Sequence, residues 1–161
     1  MLLSFVVNNE NADMGHMEAA ERINMAGDAP QGGWTALIDD VLAGRWVNPE
    51  TGKIATVPYE KIVIEESLDG AEADLVAALK LGERFTVVAD QDTWDAMGSR
   101  VARALSSLGP VDTVLLDHPH ADMATADDLA ERLKTAEAVI AVGSGTLNDL
   151  CKFVTGKTRR R

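Results

Sequence analysis

An α/β fold, with a parallel sheet covered by helices, is predicted by three features of the 161-residue chain. Apolar runs recur at 62–64, 84–89, 112–116 and 138–142, and the stretches between them carry helical periodicity. The last run, Ala138 to Val142, is short and rich in β-branched residues, as suits a strand buried on both faces. It ends in Gly143-Ser144-Gly145, after which Leu147, Leu150, Cys151 and Val154 recur at three- and four-residue intervals. The glycines therefore mark a strand-to-helix junction.

The first third is less regular. Met14 to Ala26 has Met17, Ala20, Ile23 and Met25 on or near one helical face, and a Gly/Pro-rich connector follows. Thr35 to Ala43 predicts a second helix, because Leu37, Ile38, Val41 and Leu42 align and Gly44 follows as a stop. Arg45 to Pro58 reads as two short strands around Asn48-Pro49-Glu50-Thr51-Gly52. Trp34 and Trp46 are read as core or interface residues. The expected organisation is thus an irregular segment over 1–58, an α/β domain over 59–156 and a basic tail over 157–161.

Within the α/β domain, the helix starts are legible. Asp69 precedes Glu72 and Thr125 precedes Asp128, each pairing a capping side chain with an acidic residue three positions on. Thr93 or Asp92 opens a helix whose inner face is Trp94, Met97, Val101 and Leu105, and Gly109-Pro110 stops it.

Composition narrows the function classes. The net charge of −11 argues against nucleic-acid binding, which relies on Lys and Arg. No run of eighteen apolar residues predicts a membrane span. The opening residues lack a basic leader and a small-residue cleavage pattern, so neither export nor anchoring is expected and the cytoplasm is the expected location. The single cysteine, Cys151, falls on the buried face of the last helix and is read as packing. The last ten residues hold five of the fifteen basic groups and no acidic one, a pattern read as a disordered end or a truncation scar.

The glycine turn is the main candidate site. The N–H groups of a helix's first turn are unpaired and carry partial positive charge, and glycines let a ligand approach the backbone. Ser144 and Thr146 can add hydroxyl donors. The same turn also serves as a plain sheet connection, so the longer string matters. If the strand at 84–89 lies between the other two, the sheet has a Rossmann-like switch point between its end and that of 138–142. Asp90 and Gly143-Ser144-Gly145 meet there. An acidic side chain at that place can accept hydrogen bonds from ribose hydroxyls and repels a 2′-phosphate, favouring NAD over NADP. The competing role for Asp90 is to cap the next helix.

The string GSGTLNDLCK resembles the cofactor motif of the sn-glycerol-1-phosphate dehydrogenases, a branch of the superfamily of iron-containing alcohol dehydrogenases, glycerol dehydrogenases and dehydroquinate synthases. TVVADQDTW is similar to that family's strand followed by Asp-x-x-Thr. The order of helix, Asn-Pro-Glu-Thr-Gly hairpin and these two motifs resembles the amino-terminal half of bacterial members from about Trp34 to Lys152. The resemblance implies that Asp90 and Thr93 line the adenosine half of NAD or NADP. It further implies that Gly143, Gly145, Thr146 and Asp149 contact the pyrophosphate and nicotinamide side, supported by Ser144 and Asn148.

By the same resemblance, the substrate is a small phosphorylated polyol, and a divalent metal (Ni, Zn or Fe) is held by one Asp and two His of a second, helical domain. That domain is expected to lie outside the chain, which then reads as an inactive cofactor-binding half with an open sheet edge. His118 and His120, with Asp117 and Asp122, offer a zinc reading, but their polar loop favours solvated side chains. Two other readings stand beside the first: a non-catalytic nucleotide-binding or interaction module, and a glycerol dehydrogenase or 3-dehydroquinate synthase relative. A homo-oligomer is left as an open expectation.

Overall fold

Three strands, β1 (Phe85–Asp90), β2 (Val111–Leu116) and β3 (Ala138–Ala141), form a parallel sheet of order β2-β1-β3. The computed structural model describes residues 34–55, 59, 61–63 and 67–158. Phe85 pairs with Val111 on one side and Ala138 on the other, and the registers run in step from there. The strand expected in the middle is therefore in the middle. The α/β class and its Rossmann-like parallel sheet hold.

The direction of each crossover explains the layering. The path from β1 to β2 steps one way across the sheet and the path from β2 to β3 steps back, so right-handed connections put their helices on opposite faces. Side-chain alternation matches. Phe85, Val87 and Ala89 face one core with Ala138, Ile140 and Val142, closed by Val76 of α2 (Glu72–Ala78) and Val101 and Leu105 of α4 (Ser99–Leu105). Val88, Val139 and Ala141 face the other, closed by Leu129 of α5 (Met123–Arg132) and Leu147, Leu150, Cys151 and Val154 of α6 (Gly145–Thr158).

Between β1 and α4 the helix changes its pitch. A single turn, α3 (Gln91–Thr93), passes into a π-helical segment (Trp94–Gly98) before α4 begins. Gly98 is buried here, and a Cβ on it would lie 2.9 Å from Trp94 Cε3 and 3.5 Å from the Ala89 methyl. The glycine thus lets the helix lie close on β1. The expected inner face holds, with Met97, Val101 and Leu105 buried and Trp94 packed against them.

Charged groups tie the helices together at their surfaces. Arg100 bridges from α4 to Asp69 at 3.5 Å and to the buried Glu72 at 2.8 Å, and Glu72 also accepts the Gly70 N–H at 2.8 Å. Asp69 is therefore not the cap of α2: Ala71 holds that position without a side-chain bond. Similarly, Asp122 rather than Thr125 caps α5, accepting the Thr125 N–H at 2.8 Å. In both cases the chain enters the helix at a position different from the expected cap; a carboxylate reaches the free amides only in α5.

The remaining expectations fare unevenly. Residues 62 and 63 form no strand, and residue 64 lies outside the described residues. The tail expected over 157–161 starts too early, because α6 runs through Thr158. Lys157 lies 4.0 Å from Asp127 of α5 and 6.0 Å from the centre of the Phe153 ring, contacts that favour continuing the helix. Residues 159–161 and the helix expected at Met14–Ala26 lie outside the described residues. Among the described residues no helix is long and apolar enough to cross a membrane.

The described residues divide into two compact units, and those of 9–59 form the second. In it α1 (Trp34–Leu42) is followed by a turn that Arg45 closes on Asp40, with guanidinium bonds of 3.0 and 2.8 Å. Trp46 is half-buried. Among the described residues of the hairpin expected over 45–58, one antiparallel bridge joins Val47 and Ile54, and residues 56–58 lie outside the described residues. Asn48 organises its turn by accepting the N–H groups of Glu50 and Thr51 at 2.8 and 3.1 Å.

Candidate functional site

The carboxyl ends of β1 and β3 lie side by side; β1 runs straight into α3, and three residues separate β3 from α6. At the end of β1, Asp90 has extended backbone and caps α3. Its Oδ1 accepts the Thr93 N–H and the Thr93 hydroxyl, both at 2.8 Å. Thr93 reciprocates, its Oγ1 accepting the Asp90 N–H at 3.1 Å. This is a capping box, so the capping role weighed for Asp90 is real. Oδ2 accepts no hydrogen bond from a described residue and stays available to a ligand.

At the end of β3, Val142 donates to the Val88 carbonyl at 2.8 Å, after which the chain leaves the sheet. Gly143 follows with φ of +155°, a conformation that side chains rarely adopt. A Cβ there would lie 2.3 Å from Leu147 Cδ1 and 3.2 Å from both Cγ2 and Oγ1 of Thr93. The glycine is thus required by its neighbours. Leu147 is fully buried in the core under the turn, which explains why it cannot give way.

Gly145 differs. It opens α6, it is exposed, and a Cβ on it would meet nothing within 4 Å. Among the described residues no packing contact requires a glycine there, and the amides of the first helical turn have no intrahelical acceptor, which leaves them able to meet a ligand. Ser144 is exposed beside it, and its carbonyl accepts the Asn148 N–H at 3.1 Å, beginning the helix. Thr146 is half-buried in the same turn.

Asn148 Oδ1 is buried without a hydrogen-bond partner, whereas Asp149 is exposed one turn into the helix. The structure thus brings Thr93 against Gly143, with Asp90 tied to Thr93 and Ser144, Gly145 and Thr146 continuing from Gly143. Asp149 stands further along α6. Leu147 and Gly98 were not singled out as site residues from the sequence. Their signals were a leucine four residues after a glycine and a glycine inside a helical pattern, both of which look like ordinary core features.

The 14-residue helix α6 begins at an exposed glycine, an arrangement whose free N–H groups can bind an anion such as a phosphate. Among the described residues no group of three His, Cys, Asp or Glu is placed to hold a metal ion. His118 and Asp117 lie 3.8 Å apart and both are almost fully exposed. Cys151 is buried in the second core, and burial pushes its thiol up to about 12, well away from reactivity.

The crystal structure of glycerol dehydrogenase from Schizosaccharomyces pombe is similar at a TM-score of 0.48 and 21% identity, over 55% of this chain and 23% of that one. The match thus spans under a quarter of that protein's length. No curated protein sequence matches. Residues 63–161, from just before the sheet through both turns, match the family model of iron-containing alcohol dehydrogenases. On that match, over more than half its length, the chain belongs to the iron-containing alcohol dehydrogenase family.

Proposed function

We propose that this chain is the cofactor-binding half of an NAD(P)-dependent oxidoreductase that interconverts glycerol 1-phosphate and dihydroxyacetone phosphate. The carrying observation is the pair of adjacent turns: one presents the amides of α6 beside an open Gly145, the other a carboxylate with a free oxygen. The pyrophosphate lies over Gly143, Ser144, Gly145 and Thr146. The adenosine ribose bonds to Asp90, with Thr93 beside it, and Asn148 and Asp149 line the nicotinamide side. Membership of a dehydrogenase family supports the hydride-transfer class. The narrower substrate rests on the likeness of GSGTLNDLCK to the glycerol-phosphate branch.

In such an enzyme a divalent metal would be held by the one Asp and two His that the resemblance implies in a second domain. When bound, it would serve as a Lewis acid on the substrate oxygen. The residues here hold and orient the dinucleotide. Titration of the chain with NADH, followed by fluorescence or calorimetry, tests the reading. Saturable binding that Gly145→Val weakens at least tenfold is expected, and no binding by the folded wild-type chain overturns it. With nickel, zinc or iron added, the chain alone is expected not to oxidise NADH on dihydroxyacetone phosphate; enzyme-like turnover would overturn its assignment as a half-site.

A further inference from the structure

We propose that Thr93 is a positioning residue of this site, acting through Asp90 and Gly143 rather than by touching the dinucleotide. The inference rests on the dinucleotide reading. Its basis is how the Thr93 side chain is already occupied. The hydroxyl donates to Asp90 Oδ1 at 2.8 Å, with the Asp90 carbonyl oxygen at 3.3 Å as a second acceptor, and it accepts the Asp90 N–H at 3.1 Å. Its one proton is thus engaged within the turn. Both Cγ2 and Oγ1 lie 3.2 Å from where a Gly143 side chain would begin, so the same group is wedged against the second turn.

These contacts give Thr93 two effects at once. By engaging Oδ1 from its amide and its hydroxyl, it fixes the Asp90 carboxylate and leaves Oδ2 for the ribose. By filling the space beside Gly143, it sets how near the β1 turn comes to the phosphate-binding turn. The π-helical segment begins at the next residue, Trp94, so Thr93 is also the last residue before the helix widens. Such segments recur at functional sites because they shift a side chain relative to a regular helix.

A double-mutant cycle tests this role, with NADH as the probe and binding read by calorimetry. In the wild-type background Thr93→Val is expected to weaken NADH about tenfold, and Thr93→Ser, which keeps the hydroxyl, to recover most of the loss. In an Asp90→Ala background Thr93→Val is expected to cost less than about twofold, because the group it acts through is gone. Equal losses in the two backgrounds mean direct contact and overturn the proposal while leaving the dinucleotide site standing. Should Thr93→Val fail to fold, Thr93→Ser decides: a folded serine variant with a tenfold loss overturns the positioning role. If the folded wild-type chain binds no NADH, or Gly145→Val leaves its binding unchanged, the dinucleotide reading fails and this proposal with it.

Discussion

The two turns that form the candidate site solve the same problem in opposite ways. Each follows a parallel strand, β1 in the middle of the sheet and β3 beside it, and leads into a helix whose first amides lack intrahelical acceptors. The β1 turn satisfies itself: Asp90 and Thr93 exchange hydrogen bonds and close the helix start with their own side chains. The β3 turn carries glycines where such side chains would stand, and a Cβ at Gly145 would meet open space. The first is a built wall and the second an open cradle. A nucleotide site needs both, one to hold a carboxylate still and one to present backbone donors.

Gly143 and Gly145 sharpen the contrast most. Gly143→Val combines an unfavourable φ of +155° with a 2.3 Å approach to Leu147, so a stability loss of about 3 kcal/mol or more is expected by urea denaturation. Gly145→Val should do the reverse. Stability should stay within about 1 kcal/mol, since valine suits a helix at least as well as glycine, while NADH affinity falls at least tenfold. If both variants lost stability and kept affinity, the two glycines would be equivalent packing devices and the cradle would be wrong.

Asp90→Ala comes next. Loss of the cap should cost about 1 kcal/mol in denaturation and weaken NADH about tenfold if Oδ2 meets the ribose. An unchanged affinity would reduce Asp90 to a cap alone. Asp122 gives the smallest effect and the internal control, as a second capping aspartate without a reciprocal partner or a proposed ligand. The Thr125 N–H holds its carboxyl below the ordinary value of 3.8, followed by the Thr125 hydroxyl. Its folded pKa being depressed, its contribution is complete above about pH 4 and fades as pH falls through the lowered value. Thermal melts between pH 5 and about 2.5 should show this slight loss, and Asp122→Asn, a neutral cap, should remove that part of the pH dependence. NADH binding at neutral pH should be indifferent to Asp122→Asn.

Much of this arrangement was legible in the chain, for identifiable reasons. The runs at 84–89, 112–116 and 138–142 became β1, β2 and β3 because dense β-branched and apolar residues bounded by Gly, Pro and Asp leave little choice. The run at 62–64 had the same composition yet its described residues form no strand, since a run of three residues is too short to specify pairing without its neighbours. Helix starts were legible only approximately. Asp122 lay three residues before Thr125 and Asp90 three before Thr93, but several acidic and hydroxyl residues compete in each turn, and only the path of the chain selects among them.

The hairpin marks the other limit. Asn48-Pro49-Glu50-Thr51-Gly52 specified its turn locally, through side-chain bonds spanning two or three residues. It did not specify the length of the ladder, which among the described residues is the single bridge between Val47 and Ile54.

The chain by itself determined the alternation of strand and helix, the glycines after β3 and the carboxylate after β1, because each depends on interactions within a few residues. Only the tertiary structure decided that Thr93 meets Gly143, fifty positions later, that Leu147 forbids a side chain at Gly143, and that none approaches Gly145. These outcomes depend on strand order and on how closely two helices settle onto one sheet. Both are set by burial of the two cores, which is non-directional and shared among many residues, so no local pattern records them.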